Sequence, residues 1–168
     1  MRRSDSYYMK NNMAAGLFIL LMIVTFSPSL KGQSVTDFSG EWIQDNSRSD
    51  AYYKDHNIRV TITQSPEKIA IKTTFIDKNG RESSARESFN LDGKEVKKEE
   101  YGGVNATSAS WSADGKILTT KTTRTVKSEV YGSTTSYSLS DDGHTLTILT
   151  VDINPGQPSL KQVLEKKE

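Results

Sequence analysis

The sequence predicts an all-β domain, an antiparallel up-and-down meander of eight to ten strands that forms a barrel or a strongly curved sheet. Turn-forming residues recur at regular intervals from Ile58 onward, as expected where short strands alternate with tight turns. Asparagine or aspartate followed by glycine tolerates the positive φ of two-residue hairpin turns. The predicted turns are Asn79-Gly80, Asp92-Gly93, Asp114-Gly115 and Asp142-Gly143, together with Ser65-Pro66, Gly102-Gly103, Tyr131-Gly132 and Asn154-Pro155-Gly156.

The segments between these turns alternate apolar and polar residues, which is the period of a strand with one buried face. Ile58, Val60 and Ile62 share one face, and the polar residues between them share the other. The stretch Thr119–Thr125 is rich in threonine, which favours strands. The tail fits a helix or a strand, and we predict a strand because every preceding segment is one.

Consecutive strands joined by short turns lie antiparallel and side by side. Such a meander leaves two exposed edges unless the sheet closes on itself. A barrel of about eight strands has an interior wide enough for side chains or for one small ligand. The prediction therefore leaves two possibilities open, a filled core and a ligand cavity.

Residues 1–32 have the layout of a secretory signal, so the predicted domain spans residues 33–168. A basic start precedes the apolar stretch Met13–Phe26, and small residues follow it. That stretch is shorter than the roughly 20 apolar residues of a membrane span, which favours a cleaved signal over an anchor. Translation from Met1 and from Met9 are both compatible with this layout.

The composition predicts a soluble chain, secreted or periplasmic, with no membrane anchor after signal cleavage. Removing the four basic residues and one acidic residue of the signal from totals of 22 and 21 leaves a net charge of −2. The charges are interspersed, so no cationic stripe for nucleic acid is present in the sequence. The chain has no cysteine, which excludes disulfides and a thioether-linked lipid.

The first predicted strand carries a structural signature of Phe38, Gly40 and Trp42. Their even spacing turns both aromatic side chains inward, and each hides roughly 150–250 Å² when buried. A glycine between them lets the strand bend or lets another group approach closely. The polar run Gln44–His56 has little to bury, so we predict a long loop with one turn of helix near Ala51–Tyr53.

Several short motifs resemble those of a group of small secreted bacterial lipocalin-like domains of uncharacterised function. The shared features are an F-S-G-x-W start, an Arg-Ser pair, L-D-G-K, W-x-x-D-G-K-x-L, L-S-x-D-G-x-T-L-T-I and a terminal V-x-E-K. They match Phe38–Trp42, Arg48-Ser49, Leu91–Lys94, Trp111–Leu118, Leu139–Ile148 and Val163–Lys166. The resemblance implies an exported lipocalin-like barrel or curved sheet with no established reaction. Lipocalins proper also place a late arginine over the early tryptophan, whereas this chain has only lysines after Arg124.

Inward-facing aromatic residues and one arginine are the candidate ligand-binding residues. Arg124 shares a predicted face with Leu118, Thr120 and Thr122. If this face points inward, Arg124 is a buried cation that would need an acidic ligand group or an internal acid as its partner. Alternatively, Arg124 points outward or reaches water at the rim of the barrel. Two tyrosines of the first loop could cover an open end or the core. Mixed apolar and polar linings are typical of small-molecule pockets. The candidates are Tyr52, Tyr53, Phe89, Trp111, Arg124 and Tyr137.

No pattern in the sequence predicts catalysis, a metal or another cofactor. The two histidines, His56 and His144, lie beside predicted turns, and no run of aspartates has the spacing of a calcium loop. A G-x-S-x-G elbow and a recognisable nucleophile–base set are missing from the sequence. We therefore predict that the protein is not an enzyme.

The sequence as a whole predicts a secreted, non-catalytic domain that binds a small, possibly amphipathic molecule inside a β-barrel. One alternative is an envelope accessory or protein-interaction module without an internal ligand, whose protein partner the sequence does not name. A hydrolase with an unrecognised site is the third possibility.

Overall fold

The computed structural model describes residues 34–54 and 56–168. The predicted signal, residues 1–32, lies outside the described residues. The predicted first-loop helix is confirmed as α1, Ala51–Lys54. The strands are β1 Gly40–Gln44, β2 Asn57–Gln64, β3 Lys68–Ile76, β4 Glu82–Asn90, β5 Val96–Glu100, β6 Gly103–Trp111, β7 Ile117–Val126, β8 Glu129–Leu139, β9 Thr145–Asp152 and β10 Leu160–Lys166.

All ten strands belong to one antiparallel sheet, which confirms the predicted meander. Its order is β4-β3-β2-β1-β10-β9-β8-β7-β6-β5, so the first and last strands pair in the middle. In the described part of the chain, β4 and β5 do not pair with each other and form the two edges. The sheet is therefore strongly curved but not closed by backbone hydrogen bonds.

The register of the strands defines an inner face, which carries the buried Trp42, Val60, Leu118 and Leu146. Residues paired across neighbouring strands lie on the same side of a sheet, so this face can be followed from β4 to β5. Apolar inner-face residues concentrate where β1 begins and β10 ends. We call this half the apolar end, and the half near α1 the polar end.

The apolar end is densely packed around Phe38 and Trp42, both with no solvent exposure. The prediction that Phe38 lies on the first strand is wrong, because β1 begins two residues later, at Gly40. The Phe38 ring is nevertheless buried and stacks on Trp111 with centroids 5.8 Å apart. The indole Nε1 of Trp42 donates to the carbonyl oxygen of Phe38 at 3.0 Å. These contacts hold the segment before β1 against the sheet and fill this end of the interior.

A lysine supplies the contact that an arginine makes in lipocalins proper. The ammonium of Lys166 lies 5.5 Å from the centre of the Trp42 ring, a cation–π arrangement. A side chain at Gly40 would place its Cβ 3.3 Å from Cε of Lys166. Gly40 therefore keeps open the space through which Lys166 reaches the indole.

Turns form at the predicted Asp-Gly pairs and their glycines have positive φ, but five residues connect the strands, not the two of a tight hairpin. Two of these turns are built alike, with φ of 69° at Gly115 and 73° at Gly143. In each turn a serine hydroxyl, from Ser112 or Ser140, donates to the turn aspartate at 2.6 Å. These bonds hold the pKa of both aspartates below its ordinary value.

The prediction of a turn at Tyr131-Gly132 is wrong, because both residues lie inside β8. The turn between β7 and β8 is made by Lys127 and Ser128, which adopt φ of 46° and 70° without a glycine. Gly132 instead serves close packing. A Cβ at this position would lie 2.1 Å from the carbonyl oxygen of Thr122 on β7.

We expect Gly132→Ala to lower the free energy of unfolding by about 3 kcal/mol or more, because the β7 and β8 backbones must separate to admit the methyl group. The measurement is urea unfolding followed by tryptophan fluorescence. The control is Gly80→Ala, at a turn glycine with φ of 77° and no atom within 4 Å of the added Cβ. It should cost only about 1–2 kcal/mol for the positive φ. Equal losses in the two variants would contradict this reading of Gly132.

Candidate functional site

Five hydroxyl-bearing side chains lie together on the inner face, between the apolar and polar ends. Three threonines lie opposite one another on β7, β8 and β9, and the hydroxyls of two of them, Thr135 and Thr150, are 3.2 Å apart. The phenol of Tyr137 lies near the hydroxyl of Thr120, and that of Tyr53 near the hydroxyl of Thr150, and each threonine partly offsets the rise in the pKa of its phenol. We call this group the hydroxyl cluster; its members are Tyr53, Thr120, Thr135, Tyr137 and Thr150.

Burial is what distinguishes the tyrosines of the hydroxyl cluster from those on the surface. Burial raises the pKa of Tyr53, and it raises the pKa of Tyr137 much further. Both phenols therefore stay protonated at neutral pH and can each donate one hydrogen bond. The cluster offers donors and acceptors but no charge of its own.

The charge that acts on Tyr137 comes from Glu87 on the edge strand β4. Glu87 pairs with Ile71 and so points to the inner face. Burial is the largest cause of the raised pKa of Tyr137, and the negative charge of Glu87 is the second largest. Burial also raises the pKa of Glu87 itself, although its side chain keeps contact with solvent along the open edge. An acidic group thus faces the neutral hydroxyls across the interior.

Two glutamines fix the loop that carries α1 to the polar end. The side chain of Gln162 on β10 is buried and donates to Oε1 of Gln44 at 2.6 Å. The amide nitrogen of Gln44 in turn donates to the carbonyl oxygen of Tyr53 at 2.7 Å. Ser49 adds a second attachment, because its hydroxyl accepts from the backbone N–H of Val163. The position of Tyr53 over the interior is therefore set by β1 and β10.

A cavity of about 280 Å³ opens at the polar end, beside the hydroxyl cluster. Inner-face residues at the ends of β8, β9 and β10 form one side of the cavity. Residues of α1 and of the loop between β9 and β10 form the other side. Thr150 belongs both to this wall and to the hydroxyl cluster, so the cavity leads directly to the cluster. The lining residues are Tyr52, Ser133, Thr150, Asp152, Gln157, Pro158 and Leu160.

Arg124 lies on the inner face at the rim of the polar end. Its guanidinium donates to Oδ1 of Asn105 at 2.9 Å and to the carbonyl oxygens of Glu100 and Tyr101, both at 3.1 Å. The carboxylate of Glu100 accepts from the amide of Asn105. The arginine therefore braces the turn between β5 and β6, and its donors are turned toward that turn.

The predicted ligand residues separate into three groups. Tyr52, two-thirds exposed, lines the cavity, while Tyr53 and Tyr137 belong to the hydroxyl cluster. Phe89 and Trp111 pack at the apolar end, away from the cavity, and Arg124 lies by itself against the turn between β5 and β6. The structure thus brings three of the candidates together at one site, and whether any of them binds a ligand stays a prediction.

Sequence reasoning missed Glu87 and the threonines of β8 and β9. The signal for the threonines was present, because alternation places Thr150, two residues after Ile148, and Thr135, two residues before Tyr137, on the buried face. Glu87 carries no such signal. Its strand is exposed from Glu82 to Ser88, so only the pairing with β3 shows that Glu87 faces inward.

Fold and site together define a lipocalin-like β-meander with a cavity at the polar end of its inner face. No protein-family model and no curated protein matches the chain. Among solved structures, the chain is similar to one described as a secretary abundant heat soluble (SAHS) protein from Ramazzottius varieornatus, determined from a dimer sample. The TM-score is 0.52 at 13% identity, covering 80% of this chain and 98% of that chain. A likeness at this identity shows the fold alone.

Two further findings concern the residues that the structure describes. Over 34–54 and 56–168, no helix is long and apolar enough to cross a membrane. Within the same ranges, no three histidine, aspartate or glutamate side chains converge as a metal site would require.

We expect Glu87→Gln to reduce the loss of stability that occurs as the pH rises. A carboxyl whose pKa is raised in the folded state is neutral below its ordinary value of 4.5, and its burial costs stability once the pH passes the raised pKa. The difference between the urea midpoint of the variant and that of the wild type should therefore increase in favour of the variant as the pH rises from about 4 to about 7. The control is Glu99→Gln, at an exposed outer-face position of β5. A pH dependence identical to that of the wild type would show that Glu87 is fully solvated.

Proposed function

We propose that the chain is an exported, non-catalytic domain that binds a small amphipathic molecule at the polar end of its inner face. The observation that carries the proposal is the continuity between the cavity and the hydroxyl cluster through Thr150. One site thus combines an open cavity of about 280 Å³, close to the lower size limit of about 300 Å³ for ligand pockets, with convergent polar groups.

The lining of the cavity argues for a ligand with both apolar and polar parts. Tyr52, Pro158 and Leu160 supply apolar surface near the opening. Deeper in, Thr150 and Tyr53 supply hydroxyls that both donate and accept hydrogen bonds. A molecule with an apolar body and a few hydroxyl, amide or amine groups would satisfy both regions, and a wholly apolar one would leave buried hydroxyls unpaired at a cost of about 1–3 kcal/mol each.

The absence of a catalytic role is part of the proposal. The phenols of the cluster stay protonated at neutral pH, and Glu87 faces hydroxyls with ordinary nucleophilicity. In the described residues, no histidine lies against these hydroxyls to activate them, because His56 stacks on Tyr52 outside the cluster and His144 lies at the other end of β9. Binding without reaction is the use that these groups suit best.

Export is proposed from the amino-terminal layout of the sequence. A basic start, an apolar stretch and small residues are typical of a cleaved secretory signal. The similar solved structure is also titled as a secretary protein, which agrees with this proposal. A domain in that location meets small molecules outside the cytoplasm.

Native mass spectrometry tests the proposal directly. The chain is recovered from the exported fraction of a culture of its own host and sprayed from a volatile buffer. We expect a population with the mass of the processed chain plus one small molecule. The added mass should disappear after unfolding in organic acid, because a non-covalent ligand leaves when the inner face opens. A processed chain that carries no added mass at any stage of purification would contradict ligand binding.

We further expect Thr150→Trp to abolish that population, because the indole occupies the cavity next to the hydroxyl cluster. The matched control is Leu149→Trp, which places the same indole one residue away on the outer face of β9, where Leu149 is 39% exposed. The control should keep the ligand. Circular dichroism of both variants verifies that the sheet is intact. Retention of the ligand by Thr150→Trp would place the binding site elsewhere on the molecule.

A further inference from the structure

The edge strand β4 presents a long run of backbone groups without a partner in the described part of the chain. One side pairs with β3 along all nine residues, and the other side faces no strand in the sheet. Its far end, Ser88–Asn90, lies near Thr107 and Ser108 of β6 across a gap of about 120 Å³. The stretch from Glu82 to Glu87 is exposed and lies beyond this gap. Exposed edges of this kind are templates for another strand.

The charges of this edge complement a second copy of the same edge. The segment Arg81–Glu87 reads R-E-S-S-A-R-E. Placed antiparallel to itself with Ser84 opposite Ser84, it sets Arg81 against Glu87 on the inner face and Glu82 against Arg86 on the outer face. A two-fold axis repeats both pairs, so four opposite-charge pairs form and no like-charge pair does. Opposite charges directly across two strands stabilise the pairing.

Arg86 supplies a separate reason for a partner on this side. On β3 its cross-strand neighbour is Lys72, so two cations lie directly opposite each other on the outer face. Like charges in that position are destabilising. Within the described residues, Arg86 makes no ion pair that would offset this repulsion. A carboxylate on the free side of β4 would offset this repulsion, and the self-paired register places Glu82 of a second copy there.

The register centred on Ser84 is distinguished from its neighbours by charge. Centring the pair on Ser83 or Ala85 leaves every charge opposite a neutral residue, and centring it on Arg86 or Glu87 sets like charges against each other. The other edge, β5, does not share this property. In its run Lys97–Glu100, each two-fold register that pairs unlike charges also sets Lys98 against Lys98 or Glu99 against Glu99 at its centre.

We infer that the protein forms a two-fold symmetric dimer in which the β4 edges of two copies pair antiparallel about Ser84. The two sheets join with their inner faces on the same side, and the contact covers the edge that each copy leaves open. The dimer uses the edge strand and not the cavity at the polar end, so its test does not depend on the proposed binding function.

A single introduced cysteine tests the register. The chain has no cysteine, so Ser84→Cys creates the only thiol. In the proposed dimer its two Cα atoms lie about 4.5–5.5 Å apart, within disulfide range. The control Ser88→Cys, equally exposed on β4, places its two thiols about 26 Å apart at 3.3 Å per residue. The chain is taken from the exported fraction of an expressing bacterium and mildly oxidised at micromolar concentration. We expect a covalent dimer from Ser84→Cys and monomer from Ser88→Cys; equal cross-linking, or none from either, would overturn the inference.

Charge exchange provides a second test that a folding defect cannot imitate. Glu82→Arg and Arg86→Glu each turn two attractive pairs into repulsive ones, so each variant should dimerise about tenfold more weakly or worse in sedimentation velocity. Mixed together, they restore complementary charges and should form a heterodimer. The double variant E82R/R86E should dimerise like the wild type. A wild type that stays monomeric at about 100 µM, where even a weak dimer forms, or single variants that do not recover on mixing, would contradict the dimer.

Discussion

The pairing of the first strand with the last is the constraint on which the rest of the structure depends. β1 has only five residues, and it contacts β2 on one side and β10 on the other. Trp42 lies at this junction, fully buried, with its ring under Lys166 and its indole N–H bonded to Phe38. If this pair did not form, the sheet would divide into two separate meanders, and neither half could bury its apolar side.

The division of the inner face into two ends follows from that junction. Phe38, Trp42 and Trp111 fill the apolar end, and burial of aromatic area there stabilises the domain at about 25 cal/mol per Å². That concentration of apolar residues allows the other end to keep hydroxyls, amides and a carboxylate. The polar end is held by hydrogen bonds, most of them made through Gln44, Ser49 and Gln162. Stability and the candidate site are therefore located in different parts of one interior.

The sequence was sufficient for those features that local chemistry determines. Apolar alternation predicted β2 and β9, and the Asp-Gly pairs predicted turns, because period and positive φ are properties of a few adjacent residues. The turn at Lys127-Ser128 was missed because its residues do not favour positive φ. The orientation of Glu87 was missed because it is determined by pairing with β3, which no single segment encodes. The open edges were likewise beyond prediction, since they depend on how far the whole sheet curves.

The central position of the two terminal strands also affects how the chain acquires its structure. While the polypeptide is being made, β1 can pair with β2 alone, because its second neighbour is the last strand to be synthesised. The strands β2 to β4 and β5 to β9 can form hairpins early, but the contact that unites them spans more than 100 residues. The domain therefore matures only after β10 has been synthesised, and loss of β10 would leave an incomplete intermediate with exposed apolar surface for quality-control proteases.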